Sequence, residues 1–572
     1  MLSNSLVAAV LGAGYVIVLV LQLNPTLPLS PPRLLPLAIG IGLFYAAHLT
    51  VIFYVWLVVR QLFARELFSP AWTSVAVLSS LGAAAAAAGA ALMWANLRTF
   101  TLVLPDDSVN EIARGMLALV ASACLFLVVG QLRAQCPRLR RIWALLLVIV
   151  ASGSIAAPMA LRGRARTPVL ETHPIDAPLE QASAERPSKV TVLAIDAGSL
   201  DVITAAAADG RLPNFGRVLD AGAVMHLATI HPTSAEAVWT AVATGKLPQK
   251  NGVRSASIYH VAQGGEPLQL LPDYCFAHAL VRFGLVSEEP HTSAALRTRP
   301  LWSILSALGI PVGVVGWPLT QPAPAVRGYL VSEAYPRLAA TPSAIDDSSS
   351  VYPPDMKLEV ARALESAADV PFESEPRGPI DEAPARIDRT FDQIARLLAP
   401  AHPTRVSVVR YSSLDPIGHY YLRYAMPSAF GDVTDDERRR YGAVLETHYS
   451  FIDAAIGRAI DALGPDDLLL IVSGYGMEPL GFGKRLLEVA IGDPDLSGTH
   501  ESAPDGFLMA YGASVVRARL LPRGSVVDFV PTLLYFLGLP IGRDMDGYAR
   551  TDLFQRAYTD ERPISFIPTY DR

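Results

Sequence analysis

The chain has 572 residues, a formal net charge of −6 and a hydrophobic content of 51%. This length exceeds that of one ordinary domain, and the mean hydropathy of +0.33 is high for a soluble enzyme. The acidic balance provides no basic patch and therefore excludes nucleic acid as an expected partner.

The N-terminal region is predicted to be a membrane domain. Residues 1–32 and 34–59 contain no Asp, Glu, Lys or Arg. Three more apolar stretches follow, at 72–97, 116–132 and 142–161. Each stretch approaches the roughly 20 residues that a helix needs to cross a bilayer. The sequence therefore predicts an α-helical transmembrane domain of five helices over residues 1–161.

The charges of the loops predict an orientation. The loops between the second and third spans and between the fourth and fifth spans contain Arg60, Arg65, Arg133, Arg138, Arg140 and Arg141. By the positive-inside rule these two loops are cytoplasmic. We therefore expect a multi-pass protein of the cell membrane whose C-terminal domain lies outside the cytoplasm, in the periplasm or the extracellular space. Arg162, Arg164 and Arg166 argue against this orientation.

The chain then becomes typical of an α/β protein. Residues 162–188 lack apolar periodicity, contain several prolines and are predicted to be a linker. Over residues 189–572, short β-branched runs alternate with long helical stretches, which is typical of a mostly parallel sheet covered by helices on both faces. Stretches at about 255–300 and 335–400 are rich in Pro and Ser and are predicted to be insertions that cap the site.

Candidate site residues follow three of the predicted strands. Asp196 follows the first strand, Asp415 and His419 follow the run that ends at Tyr411, and Gly474 ends the run that begins at Leu468. Ligands of open α/β sheets bind at the carboxyl ends of the strands. We therefore expect these side chains to meet at one edge of the sheet.

The order and spacing of motifs in this domain resemble the type I phosphodiesterase/nucleotide pyrophosphatase branch of the alkaline phosphatase superfamily. The motifs are Asp196, Leu212–Phe215, Trp239–Pro248, the pair Asp415 and His419, His500 and Arg543–Gly547. The resemblance covers about 190–571 and implies an alkaline-phosphatase-like fold. In that family two metal ions clamp a phosphoryl group, which a Ser or Thr nucleophile attacks.

The resemblance also identifies what this chain lacks. One metal site of the family matches Asp415, His419 and His500, so all three of its ligands are present. In the second site only Asp196 is present, because Gly474 and Tyr475 stand where the family has Asp and His. Ala235 stands where the family has its nucleophile.

Three residues are candidates for catalysis in place of the missing groups. Asp196 could serve as a general base and Tyr475 as a neutral donor to a phosphoryl oxygen, although its ring could equally fill the vacated metal volume. Ser234 precedes Ala235, and an alignment shifted by one residue would make it the nucleophile. Thr233 and Glu236 fit a capping box instead, which gives this segment a structural explanation.

Two functions from different classes stay open. The first is a phosphoester hydrolase or phosphotransferase that uses one divalent metal ion, zinc or manganese, on a phosphorylated or lipid-linked small molecule. Its layout is similar to that of lipoteichoic acid synthases and phosphoethanolamine transferases. The second is a pseudoenzyme without a required metal that binds a phosphorylated ligand or a membrane protein partner. A transporter is disfavoured, because His48 is the main ionisable residue within the spans.

Overall fold

The computed structural model describes residues 1–64, 72–136, 138–162, 188–262, 264–277, 279–336, 349–368, 383–501 and 503–571. The chain forms two compact units. The first contains Met1–Leu170 and Ser257–Pro290, and the second contains Glu171–Ala256 and His291–Arg572. Some predictions lie outside the described residues, namely those on Arg65, Arg164, Arg166, linker residues 163–187 and insertion residues 337–348 and 369–382.

The first unit is built from apolar helices. They are α1 (Leu2–Leu23), α2 (Pro31–Leu37), α3 (Leu43–Ala64), α4 (Val75–Thr99), α5 (Asp106–Gln135) and α6 (Arg140–Arg162). A π-helical turn, Ala38–Gly42, joins α2 to α3, so the two form one continuous helical stretch. Five stretches in the described part of the chain are long and apolar enough to cross a membrane. The predicted domain of five helices is confirmed.

Ser257–Pro290 also belongs to this unit, and we call it the inserted hairpin. Its strands Ser257–Val261 and Val286–Pro290 pair antiparallel, and a short helix, Ala279–Arg282, lies between them. Its buried side chains pack in one cluster with residues of α1 and α3. The sequence predicts a cap over the site at 255–300, whereas the contacts of residues 257–290 lie with the apolar helices.

Two asparagines anchor the inserted hairpin to the ends of helices. Asn24, just after α1, accepts hydrogen bonds from the backbone N–H groups of Gln269 (2.8 Å) and Leu270 and donates one to the carbonyl of Leu270 (2.8 Å). Asn96, in the last turn of α4, donates to the carbonyl of Asp273 (3.0 Å) and accepts from its N–H (2.7 Å). Both amide side chains thus pair with backbone groups that would otherwise be buried without partners.

The second unit contains a sheet of ten strands. They are β1 (Val190–Ile195), β2 (Ala223–Ala228), β3 (Val312–Val315), β4 (Gly328–Val331), β5 (Val351–Tyr352), β6 (Val406–Tyr411), β7 (Leu468–Tyr475), β8 (Asp505–Tyr511), β9 (Arg519–Leu520) and β10 (Gly524–Ser525). Their order is β9-β2-β8-β7-β1-β6-β3-β4-β5, and β10 also pairs with β2. The run from β7 to β4 is parallel, whereas β8 is antiparallel to both of its neighbours.

Helices fill the connections between these strands. Two of them carry site residues, α7 (Ala235–Thr244) and α8 (Leu414–Ala425). The others are Leu200–Ala208, Pro213–Ala221, Pro248–Asn251, Leu301–Ala307, Lys357–Ala368, Ala383–Ala401, Pro427–Phe430, Asp435–Tyr441, Val444–Asp461, Phe482–Ile491, Phe529–Phe536 and Arg556–Asp560. Short ladders join Glu478–Pro479 to Gly498–Thr499 and Ile541–Gly542 to Phe566–Ile567. Every residue of β7 is buried, as a strand covered on both faces requires. The predicted fold class is confirmed.

Candidate functional site

The candidate site residues meet at the carboxyl ends of three neighbouring parallel strands. Strand β1 lies between β6 and β7, and Asp196 follows β1 directly. Helix α8, which carries Asp415 and His419, begins shortly after β6. Tyr475 is the last residue of β7. This is the edge at which ligands of open α/β sheets bind, as the sequence predicts.

Asp415, His419 and His500 form a compact cluster. Asp415 and His419 are one turn apart on α8 and therefore share a face of the helix. His500 follows the short strand Gly498–Thr499. One ligand atom from each side chain lies within 4.8 Å of the others. Asp415 Oδ1 is 3.9 Å from His419 Nε2 and 3.5 Å from His500 Nε2.

Backbone carbonyls fix the orientation of both imidazole rings. His419 Nδ1 donates to the carbonyl of Gly498 (2.8 Å), and His500 Nδ1 donates to the carbonyl of Thr233 (3.2 Å). Because a carbonyl can only accept, the proton of each neutral ring is on Nδ1. Nε2 of each ring faces the carboxylate of Asp415 and is the nitrogen left for a metal ion. Such hydrogen bonds to the second nitrogen are typical of histidines that bind metals.

The cluster has the ligand chemistry of a cation site. Two imidazole Nε2 atoms and a carboxylate oxygen face one another. Asp415 Oδ1 is buried and has no hydrogen-bond partner within the described part of the chain. Three protein ligands of this type, with a further position left for water, are the usual set for a catalytic zinc ion. The residues present fit one divalent ion.

Asp196 is paired with a residue that the sequence analysis missed. Arg410, in β6, donates from Nε to Asp196 Oδ1 (2.9 Å) and from Nη2 to Asp196 Oδ2. The side chains are 11% and 2% exposed, so the pair is buried. Burial raises the pKa of Asp196 to about 6, against the lowering effect of the Arg410 charge, so the carboxylate is mostly ionised at pH 7. Arg410 was detectable as a charged residue within a run predicted to be a buried strand.

Protein atoms fill the region where the family pattern has its second pair of ligands. A Cβ atom at Gly474 would lie 2.5 Å from Val238 Cγ1 of α7, so α7 packs directly on β7 at this position. Tyr475 is fully buried, and its ring centroid is 5.1 Å from that of His500. Burial, together with the charges of Asp196 and Asp415, raises the pKa of Tyr475 well above its usual value, so its hydroxyl is neutral. That hydroxyl has no hydrogen-bond partner among the described residues.

The start of α7 differs by one residue from the predicted capping box. Ser234 is the N-cap, and its hydroxyl accepts from the N–H of Ala237 (3.3 Å). Thr233 instead donates its hydroxyl to the carbonyl of Ile230 (3.1 Å). The predicted cap at Thr233 is wrong, because the helix begins at Ala235 and the cap residue precedes it. Ala235 provides no hydroxyl at this helix start.

Glu236 is a second residue that the sequence analysis did not assign to the site. It lies in the first turn of α7, next to Ala235. Burial raises its pKa, and its carboxyl also interacts with the charges of Arg410, Asp196 and Asp415. A carboxyl group with a raised pKa beside other site residues is a candidate for proton transfer. The predicted capping box of Thr233 and Glu236 had assigned Glu236 a structural role, so the sequence did not identify it as a candidate for proton transfer.

Comparison with known proteins agrees with this geometry. The sequence profile described as Type I phosphodiesterase / nucleotide pyrophosphatase matches residues 190–518, more than half of the chain. The chain belongs to this family, in the alkaline phosphatase superfamily. The resemblance based on motifs is therefore confirmed. No curated protein matches the chain.

Solved structures of murine ectonucleotide pyrophosphatase / phosphodiesterase 5 are among those similar to this chain. An inactive variant in complex with AMP is 12% identical, with a TM-score of 0.38. A second structure of the murine protein is 11% identical, with a TM-score of 0.37. Each alignment covers 64% of this chain and 100% of the murine chain. Among its described residues, this chain has one compact group of candidate metal ligands, and Asp196 forms an ion pair with Arg410.

Proposed function

We propose that this protein is a membrane-anchored phosphoester hydrolase or phosphotransferase that works with one divalent ion, zinc or manganese, bound by Asp415, His419 and His500. The observation that carries the proposal is the cluster of one carboxylate oxygen and two imidazole nitrogens that lie within 4.8 Å of one another, in which Asp415 Oδ1 has no hydrogen-bond partner among the described residues. Membership of the phosphodiesterase family supports the class of reaction. Attachment to five apolar helices favours a phosphorylated substrate near the membrane, such as a lipid-linked phosphodiester.

A divalent ion held by these ligands would act as a Lewis acid and would lower the pKa of a water molecule to about 7. Ala235 offers no hydroxyl, so water is the proposed nucleophile. Glu236 is the proposed general base, because both oxygens of the alternative, Asp196, accept hydrogen bonds from Arg410. The neutral hydroxyl of Tyr475 lacks an acceptor among the described residues and is proposed to donate to a phosphoryl oxygen.

We further propose that the protein is a multi-pass protein of the cell membrane and that its C-terminal unit lies outside the cytoplasm. The support comes from the arginines of the described loop between α5 and α6 and from Arg60 at the end of α3. If the N-terminus is cytoplasmic, five spans place the second unit on the opposite side of the membrane.

The test is the metal content of the full-length protein in detergent, measured by elemental analysis beside the hydrolysis of a generic phosphodiester. We expect about one zinc or manganese ion per chain. The double variant His419→Ala/His500→Ala should lose both the ion and turnover, because two of three ligands are removed. A folded double variant that keeps its activity would contradict the proposal.

His402→Ala is the matched control. His402 is another partly buried histidine of the second unit, but its Nε2 lies 3.0 Å from Glu359, outside the site. This variant should keep both the ion and the activity. Loss of metal in the control as well would mean that histidine replacement acts through general destabilisation.

A second candidate function is a pseudoenzyme that binds a phosphorylated ligand or a membrane protein partner. The observation that favours it is the start of α7, where the nucleophile position holds Ala235 and the hydroxyl of Ser234 accepts the capping hydrogen bond. A folded protein that binds neither zinc nor manganese and cleaves no phosphodiester would favour this candidate.

A further inference from the structure

We propose that the guanidinium of Arg410 is a built-in cation that takes the place of a second metal ion, so that this site binds one divalent ion and no more. The inference rests on the proposed function for the first ion only. It concerns the residues around Asp196, which are distinct from the three ligands of that first ion.

Asp196 is already paired with a cation. Arg410 donates to both carboxylate oxygens, and its Nη1 lies 3.4 Å from the carbonyl of Gly316. Planar guanidinium groups match carboxylates in this bidentate manner, and they remain charged at any pH that proteins tolerate. A metal ion could bind Asp196 only by displacing a buried side chain that neutralises it permanently.

Two ligands of the family's second metal site are absent from this chain, at positions 474 and 475. Val238 would lie within 2.5 Å of a Cβ atom at position 474, so any side chain there would require α7 to move. The neighbouring position holds Tyr475, whose neutral hydroxyl is a poor substitute for an imidazole or a carboxylate as a ligand. The second ion of the family pattern therefore lacks the two ligands of positions 474 and 475, and the ligand that remains, Asp196, is held by Arg410.

Replacement of the second ion by Arg410 is consistent with the missing nucleophile. A metal ion beside a serine or threonine activates it by lowering the pKa of its hydroxyl. A guanidinium supplies positive charge but has no open coordination position for a hydroxyl. Ala235, at the start of α7, has no hydroxyl to activate. Arg410 in place of the second ion and Ala235 in place of the nucleophile are therefore both consistent with a site that uses a single ion.

The test compares the metal stoichiometry of the full-length wild-type protein with that of Arg410→Ala under saturating manganese. We expect the number of bound ions to rise from one to two per chain, because Asp196 becomes free beside Glu236. Millimolar guanidinium should raise the Tm of this variant and compete with the second ion. Arg458→Ala is the matched control, because Arg458 pairs with the mostly buried Asp392 away from the site, and it should bind one ion.

Each outcome separates this inference from the proposed function. No ion in the wild type but one in Arg410→Ala would refute the proposed metal site and support the role of Arg410. One ion in both proteins, with no shift in Tm from guanidinium, would overturn the role of Arg410 and leave the proposed function intact. If Arg410→Ala does not fold, the metal content of His419→Ala/His500→Ala is the deciding measurement, because this variant lacks two ligands of the first ion but keeps Asp196 and Arg410. No bound ion in this variant would support the inference. One remaining ion would show that the region of Asp196 binds a metal and would overturn it.

Discussion

At the scale of single residues, the start of α7 contains one residue with a proposed catalytic role and one residue with a structural role. Ser234 caps this helix and Glu236 lies two residues further on. The carboxyl of Glu236 interacts with the charges of Asp196 and Asp415, whereas the hydroxyl of Ser234 is engaged with the backbone N–H of Ala237. Their variants should therefore behave differently.

Glu236→Gln should lower kcat by roughly 10²- to 10⁴-fold, the usual contribution of a general base, with unchanged metal content. Burial raises the pKa of Glu236, so its carboxyl group loses its proton and can act as a base only at a pH above the usual pKa of a glutamate. Wild-type kcat should fall as the pH drops through this raised pKa, and the variant should lack that dependence. The measurement is a pH profile of kcat for both proteins. An identical profile in the variant would exclude Glu236 as the base.

Ser234→Asn should keep the phosphodiesterase activity, because asparagine is as good an N-cap as serine but has no hydroxyl to act as a nucleophile. Ser234→Ala should lower the free energy of unfolding by about 1 kcal/mol through loss of the cap. Activity assays and thermal unfolding distinguish the two effects. Complete loss of activity in a stable Ser234→Asn protein would identify Ser234 as the nucleophile.

Asp196→Asn should destabilise the second unit by about 3–5 kcal/mol, because it leaves the buried guanidinium of Arg410 without its counterion. Thermal unfolding of the variant gives this value. Asp461→Asn is the matched control: its partner Arg217 is 44% exposed, and a surface ion pair contributes only about 0–1 kcal/mol. Equal effects of the two substitutions would argue against a buried, strongly coupled pair.

The sequence predicts the cluster of candidate metal ligands better than its surroundings. Asp415, His419 and His500 match family motifs, and a spacing of four residues on a helix is enough to bring the first two together. Arg410 lacks such a motif, since a strand is identified by its apolar residues and one charge within it carries no information about its partner. The pairing with Asp196 depends on the register between β1 and β6, which places Arg410 level with Ala194.

At the scale of elements, the alternation of strands and helices was sufficient to predict the α/β class, and the long apolar stretches were sufficient to predict the five N-terminal helices. The docking of the inserted hairpin was not predictable in this way. It depends on two polar residues at the ends of apolar helices, Asn24 and Asn96, and a single asparagine has no periodic signal. Composition alone indicated only that residues 255–300 interrupt the alternation of elements.

The double variant Asn24→Ala/Asn96→Ala should release the inserted hairpin from the helices. Several buried backbone groups at Gln269, Leu270 and Asp273 would lose their partners, at roughly 1–3 kcal/mol for each unsatisfied group. We expect faster hydrogen exchange confined to residues 257–290, while the metal content of the second unit is unchanged. Asn4→Ala is the control. Asn4 lies near the start of α1, and its side chain accepts a hydrogen bond from the backbone N–H of Ser74 rather than from the hairpin. Equal exchange in both variants would contradict the anchoring role.

At the scale of the whole molecule, some motifs that match the family have a structural role. Lys246 is buried in the second unit and forms ion pairs with Asp544 and Asp571, which join the end of α7 to the C-terminal region. Asp546 accepts a hydrogen bond from the N–H of Leu247 (2.8 Å) in the same region. These contacts give the closing motif a structural role in the second unit.

The orientation of the whole chain in the membrane is testable through its cysteines. Cys136 is exposed in the loop between α5 and α6, which is proposed to be cytoplasmic. In a protein with Cys124→Ser and Cys275→Ser, a membrane-impermeant maleimide should label Cys136 only after the cells are permeabilised. Conversely, Arg556→Cys, at a side chain 92% exposed in the second unit, should react in intact cells once Cys136 is also replaced by serine. Labelling of Cys136 in intact cells and protection of position 556 would invert the proposed topology and place the catalytic unit in the cytoplasm.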